Sequence, residues 1–278
     1  MSSGKRRIGL IAGNGRFPIL WAKSARERGV EVVCFAIKRN TIPSVSRFVD
    51  KIYWFKVNQF SDLLEAISKE KLKQMVMAGQ INPFVLFDPR ILLDVEIKEL
   101  LFRLKDRRAD TVFTAIIHRI EKEGVEFIPS TSFMDNYIPR IGTLTDFGPE
   151  EDEWQDVYFG RDIAKRMGDL DIGQTVVVKD RTVLAVEAFE GTNRCIMRAG
   201  FLCPGAVVVK MSKPHQDLRF DVPVVGMRTV QAMALARVNI LAVESGRTII
   251  LDRDRFIRVC NRLGIKVVAV QGGNSEIG

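Results

Sequence analysis

Lys210, Lys213, Gln216, Arg219 and Asp221 fall within twelve residues, around and between two prolines, Pro214 and Pro223. Two lysines and an arginine are what a diphosphate needs to offset its charge, and a carboxylate among them can hold a divalent cation or orient a water. The apolar run before them, residues 206–209, reads as a buried strand that delivers Lys210 to a surface. A solvated cationic connection between two strands would have the same composition, so the surrounding residues must decide between the two readings.

Upstream, residues 175–179 and 183–188 read as two strands joined by a hairpin turn at Asp180-Arg181, and Asp171-Ile172-Gly173-Gln174 reads as a tight turn into the first. The second strand ends in Glu187, Ala188, Phe189, Glu190, Gly191, Thr192 and Asn193. Thr192 or Asn193 is a candidate N-cap for a following helix, and Gly191 permits close backbone approach to a ligand. Glu187 and Glu190 would face opposite sides of a continuous strand, so they converge on one ligand only if the chain turns near Phe189.

A second constellation lies near the start. A strand at 7–12 runs into Gly13-Asn14-Gly15-Arg16-Phe17-Pro18 and then an amphipathic helix over 19–28, the opening of a nucleotide-binding βαβ unit. Pro18 stands where the dinucleotide fingerprint has its third glycine, so the match is incomplete, although Gly13 and Gly15 can still let backbone amides approach a ligand. A tight βα turn with no ligand is the structural alternative. At the end of a later strand, 74–78, the run Gly79-Gln80-Ile81-Asn82-Pro83 is placed for ligand contact at the crevice of an open α/β sheet. Lys38-Arg39 follows the second strand, 30–36, where an NAD site would carry an acid; the basic pair suits an NADP phosphate instead.

The elements that must carry these residues form an α/β protein: a Rossmann-like N-terminal domain over 1–134, a linker at 135–149 punctuated by Pro139, Gly142, Gly148 and Pro149, and a second α/β domain over 150–278. In that second half, strands at 240–243 and 248–251 are expected to pair as a hairpin through Gly246-Arg247, and 271–278 to form a loose tail. The chain has 278 residues, 46% hydrophobic and 27% charged, enough for a large core without staples. Its apolar runs are too short for a membrane span and no cleavable leader is evident, which points to the cytoplasm. The four cysteines lack a C-x-x-C pair, so neither a zinc site nor a disulfide framework is indicated. A formal charge of +8 favours an anionic partner, but without a basic stripe interleaved with aromatics nucleic acid is not expected. Two histidines, His118 in a helix and His215 in the loop, leave little room for an imidazole-bound metal or a Ser-His triad.

Taken together, IAGNGRFP, MAGQINP, LDIGQTVVV, LAVEAFEGTN and VVKMSKPHQDLRFDVPVVG make the chain resemble, over about 8–269, the single-chain, two-domain (LpxI-type) UDP-2,3-diacylglucosamine pyrophosphatases. The resemblance implies a cytoplasmic hydrolase, peripheral at the inner face of the inner membrane. It would cut the diphosphate of UDP-2,3-diacylglucosamine to UMP and 2,3-diacylglucosamine 1-phosphate, lipid X, with Mg2+ as cofactor in lipid A biosynthesis. It places catalysis on Asp221 and puts the family's lysine, glutamine and E-G-T motifs on Lys213, Gln216, Glu190, Gly191 and Thr192. Joined to the readings above, this gives Asp221 and Lys213 as catalytic candidates, Asp221, Glu190 and Glu187 as metal candidates, and substrate contacts at Gly13, Asn14, Gly15, Gly79, Gln80, Gln174, Gly191, Thr192, Lys210, Gln216 and Arg219. A homodimer follows from the same resemblance, whereas a substrate held between the domains is expected because the glycine turns of the first half and the charged loops of the second must converge on one molecule. The family pattern departs at Asn193, where Asp is usual; an amide offers less charge to Mg2+.

Two other classes fit parts of the sequence. An NADP-dependent oxidoreductase would use the N-terminal βαβ and Lys38-Arg39, and a non-catalytic nucleotide or phosphate sensor would use the same loops without turnover. Nicotinamide-cofactor binding tests the first and release of UMP the second.

Overall fold

A computed structural model describes residues 5–80, 89–106 and 108–272. Ile81, Asn82 and Pro83, and most of the expected tail, lie outside the described residues. The chain divides into two compact units, one of Met1–Met134 with Asp217–Asp221, the other of Asp135–Gln216 with Val222–Gly278.

Unit 1 opens with β1 (Arg7–Ala12), α1 (Phe17–Glu27), β2 (Glu31–Ile37), β3 (Lys51–Phe55), α2 (Phe60–Glu70) and β4 (Gln74–Ala78). It continues through α3 (Val95–Phe102) and α4 (Ala109–Glu121) to the short β5 (Glu126–Phe127). Its five strands are all parallel, in the order β3-β2-β1-β4-β5. That is the Rossmann order, and it puts the topological switch between β1 and β4. Continuous apolar runs make β1 and β2 almost wholly buried, as a parallel sheet covered on both faces requires.

Unit 2 contains β6 (Gly142–Thr143), α5 (Glu151–Asp169), β7 (Thr175–Lys179), β8 (Thr182–Val186), α6 (Thr192–Gly200) and β9 (Val207–Lys210). After these come β10 (Val224–Val225), α7 (Met227–Ala236), β11 (Ile240–Glu244), β12 (Ile249–Ile250), α8 (Arg253–Leu263) and β13 (Lys266–Val270). The main sheet has the mixed order β6-β13-β11-β9-β7-β8, with β9, β11 and β13 parallel. Val176, Val178, Val207, Val209 and Ala242 pack in the cluster shared with α5, while Val177, Val208 and Leu241 pack in the one shared with α6, α7 and α8. This period-2 alternation makes unit 2 a three-layer sandwich. Gly160 of α5 has no room for a side chain, since a Cβ there would come within 2.6 Å of Val209 Cγ2.

Three expectations change. The stretch 135–149 is built into unit 2: Gly142–Thr143 is its edge strand, and Leu144 N and Thr145 Oγ1 bond the backbone of Val267. The strands flanking Gly246-Arg247 do not form a hairpin; β12 pairs in parallel with β10 in a separate two-stranded sheet, because Ile249 N and Leu251 N donate to Pro223 O and Val225 O. Asp217–Asp221, read with the second half, folds with unit 1. Ser130 fixes the segment by donating to Leu218 O from its backbone and to Arg219 O from its hydroxyl, while Phe220 packs on Phe113 at 5.7 Å.

Candidate functional site

The carboxyl edge of the unit 2 sheet collects charged side chains from the ends of β8, β9 and β11, with Thr175 of β7 beside them. Lys210 ends β9 opposite Thr175 of β7, and its neighbour in register on β11 is Val243. Alternation sends Lys210 to the α6 face and Glu244 to the α5 face, so one sheet edge carries a polar cluster on each side.

On the α6 face, Lys210 is 3% exposed and its Nζ donates to Thr192 Oγ1 at 2.8 Å and Thr175 Oγ1 at 3.4 Å. Thr192 Oγ1 in turn donates to Glu187 Oε1 at 2.9 Å. Glu187 is 7% exposed, its Oε2 is 3.8 Å from Lys210 Nζ, and that oxygen is buried without a hydrogen-bond partner among the described residues. Such an atom is costly unless something arrives to satisfy it. Thr192 is the first helical residue, not the cap expected from sequence; Gly191 holds the cap position at φ +83, and the hydroxyl is thereby free to serve Lys210 and Glu187.

The chain does turn near Phe189, as convergence of the two glutamates required, yet Glu190 goes elsewhere. One carboxylate oxygen accepts from Arg198 at 2.8 Å and the other from Ala188 N at 3.2 Å. The Arg198 hydrogen bond holds its carboxyl below the ordinary range. Expected as a metal ligand beside Glu187, Glu190 is an ion-pair partner in this structure.

The turn carrying Gln174 lies on the same edge. Gly173 packs directly on the Glu187 carbonyl, and Gln174 O accepts from Met211 N at 2.9 Å. Lys213 Nζ donates to Asp171 Oδ1 at 2.7 Å, Gln216 Oε1 accepts from Lys213 N at 3.0 Å, and Gln216 Nε2 reaches Gln174 Oε1 at 3.4 Å. The structure thus brings Gln174, Glu187, Thr192, Lys210, Lys213 and Gln216 to one sheet edge. Sequence reading missed the support on the α5 face. There Glu244, 4% exposed, accepts from Lys165 Nζ at 2.9 Å on both oxygens and from Ser212 N at 2.7 Å, anchoring the loop that leaves β9. A glutamate ending an otherwise apolar strand was the available signal.

Asp221 and Arg219 belong to unit 1. Arg219 is held by Asp217 at 2.7 Å and Glu121 at 3.2 Å. Burial pushes the Asp217 carboxyl up, but the Arg219 hydrogen bonds and charge outweigh it and the net position is below the usual range. Asp221 N donates to Asp217 O at 2.9 Å, closing the turn. The other unit 1 candidates meet at the switch point. Gly13 N donates to Ala78 O, and Asn14 and Gln80 exchange backbone bonds at 2.7 and 3.2 Å. A Cβ on Gly13 would lie 2.5 Å from Gly79 O, and one on Gly79, at φ +89, would lie 2.6 Å from Asn14 O, so the two glycines let these turns touch. Gly15, also at φ +89, has open space around it, and its N–H is met by Asn14 Oδ1 at 2.7 Å.

Comparison with known proteins decides the family. The model of the LpxI N-terminal domain matches residues 7–137 and that of the LpxI C-terminal domain matches residues 140–268. The chain belongs to the LpxI family. A curated member, the UDP-2,3-diacylglucosamine pyrophosphatase LpxI of Caulobacter vibrioides, is 28% identical over 279 residues, covering 95% of this chain and 98% of that protein. Among solved structures, the biotin carboxylase domain of a thermophilic 2-oxoglutarate carboxylase matches 62% of this chain and 34% of its own, at 13% identity and a TM-score of 0.28. The corresponding domain from Hydrogenobacter thermophilus matches 71% and 41%, at 11% identity and a TM-score of 0.29.

Within this LpxI-family chain, no three acidic, histidine or cysteine side chains cluster among the described residues in a way that could hold a metal ion. Magnesium needs no such cage, since it is commonly held by one or two carboxylates together with substrate phosphates. The unpartnered Glu187 Oε2 is a donor of that kind, so the residues present fit the ion. Among the described residues, no helix is long and apolar enough to cross a membrane.

Proposed function

We propose that this chain hydrolyses the diphosphate of UDP-2,3-diacylglucosamine, releasing UMP and 2,3-diacylglucosamine 1-phosphate, with Mg2+ required and lipid A synthesis as the setting. The observation that carries the reading is the buried Lys210–Thr192–Glu187 cluster with its unsatisfied carboxylate oxygen, in a chain matched over residues 7–137 and 140–268 by the two LpxI domains. Lys210 and Lys213 offset charge on the diphosphate and on the departing phosphate, worth more at a buried position than in water. Glu187 would hold the ion, whose chemistry when bound is neutralisation of phosphate charge. The resemblance gives Asp221 the role of orienting the attacking water and accepting its proton, and attack at the sugar-side phosphorus makes UMP the leaving group. Work at the inner face of the inner membrane and a homodimer belong to the same reading; the positive net charge suits an anionic membrane surface.

Incubating the purified protein with UDP-2,3-diacylglucosamine, with and without Mg2+, should release UMP only in the presence of the metal. In 18O-labelled water the label should enter 2,3-diacylglucosamine 1-phosphate; label in UMP would reverse the assigned polarity, and no UMP at all would remove the function. Asp221→Ala should lower turnover at least about a hundredfold while leaving substrate binding near normal.

A further inference from the structure

One strand over from the glycine turn, unit 1 carries a depression that none of these roles uses. The connection leaving β2 turns through Lys38 and Arg39 and, with Ile42, Pro43 and Trp54 of β3, encloses an open space of about 540 Å³. Its wall is firmly tied. Lys38 N donates to Phe55 O at 2.7 Å, Asn40 Nδ2 to Gln80 O at 3.4 Å, and the buried Thr41 hydroxyl bonds Ala12 O while accepting from Ile37 N at 2.9 Å. These bonds link the depression to the ends of β1 and β4, where the glycine turns lie. On β3, Tyr53 and Phe55 stack with Phe35 at 5.6 and 6.5 Å, so Trp54 between them presents its ring on the opposite face. Trp54 is half-buried, Lys38 and Arg39 are exposed, and among the described residues neither cation is in an ion pair.

An aromatic plane with an apolar wall and two uncommitted cations is complementary to a base joined to phosphate. The position agrees, because an open parallel sheet binds ligands beyond the carboxyl ends of its strands, beside the switch point. The backbone amides of the Gly13–Gly15 turn are already bonded to Ala78 O, Gln80 O and Asn14 Oδ1, which leaves Lys38 and Arg39 as the phosphate partners at this edge. We propose that the Lys38–Arg39–Trp54 depression is a nucleoside subsite that takes a pyrimidine nucleoside 5′-phosphate, the base stacked on Trp54 and the phosphate within reach of Lys38 and Arg39. It rests on the reaction proposed above, whose substrate supplies a uridine half.

The test uses the full chain and UMP, followed by tryptophan emission and by competition with UDP-2,3-diacylglucosamine turnover. UMP should quench emission. Trp54→Phe should keep UMP affinity within about threefold but lose the quench, since any aromatic plane serves for stacking. Trp54→Ala should weaken UMP binding and raise KM about five- to a hundredfold with kcat nearly unchanged. Arg39→Glu should weaken UMP but not uridine. Unchanged UMP inhibition and KM in Trp54→Ala would overturn the subsite and leave the reaction standing. Quenching through Trp54 without any turnover would leave the subsite and overturn the reaction. Binding of NADPH at Trp54 in preference to UMP would overturn the ligand class.

Discussion

At the end of β9 a lysine is almost wholly buried with two threonine hydroxyls as its hydrogen-bond acceptors and its nearest carboxylate oxygen 3.8 Å away. A purely structural ion pair would close to hydrogen-bonding distance and satisfy both carboxylate oxygens; this one leaves Glu187 Oε2 open. Lys210→Met should lose turnover at least about a hundredfold, the scale of a preorganised charge-stabilising donor. It should also destabilise unit 2, because Glu187 is left buried without a countercharge. Adding Glu187→Gln should recover the melting temperature but not the activity; recovery of both would make the pair structural. Glu70 in unit 1 shows the contrasting case. Its carboxylate is met by Lys51 and Tyr53 on one oxygen and Arg7 on the other. Burial pushes this carboxyl up, but the three hydrogen bonds outweigh it and bring it from 4.5 to about 2. A depressed folded-state value stabilises above the unfolded value and is lost as pH falls, here between about 4.5 and 2. Urea midpoints should therefore drop across that window in the wild type and much less in Glu70→Gln.

Elements were legible wherever local chemistry sets them. The Asp180-Arg181 turn shows φ of 49° and 55°, as a two-residue hairpin demands, and its backbone amides donate to the buried Asp156. The alternating valines of β7 and β9 and the glycine turn after β1 are equally local signals. What stayed hidden depends on distant partners. Ile249–Ile250 is paired by Val224–Val225, and a two-residue parallel strand has no pattern of its own. Nothing in the spacing of Glu190 announces its ion pair with Arg198, eight residues farther on in α6. The LDIGQ turn was recognised, but its reason is tertiary: Gly173 lies on the Glu187 carbonyl where no Cβ fits. Gly173→Ala should shift the turn and cost about 1–3 kcal/mol of unit 2 stability. The shift separates Gln174 from Gln216 and displaces Asp171 from Lys213, so activity should fall more steeply than the folded fraction; a variant that loses neither would mean the loop tolerates the displacement.

For the whole molecule, the consequence that matters is that one short segment belongs to a different unit from the loops on either side of it. Lys210, Lys213 and Gln216 are carried by unit 2, whereas Asp217–Asp221 is carried by unit 1. No composition shift marks this exchange, since Leu218 and Phe220 look like ordinary loop hydrophobes until Ser130 and Phe113 are seen against the segment. The placement predicts that unit 1 depends on residues more than eighty positions beyond its own end. Phe220→Ala, in a half-buried position, should remove about 1–2 kcal/mol from unit 1 by lost apolar burial, with the aromatic pair adding to the loss. Unit 2 should be little affected. Hydrogen exchange followed by mass spectrometry can read the two units separately in the full chain: faster exchange in β4, β5 and α4 with unchanged protection in β9 and β11 is the expected result. The same logic applies to a fragment ending at Met134, which lacks the segment and should unfold at lower urea than unit 1 does within the full chain. Equal midpoints for the fragment and the full chain would show that the segment only rests on unit 1, and Asp221 would then lose its anchor in that core.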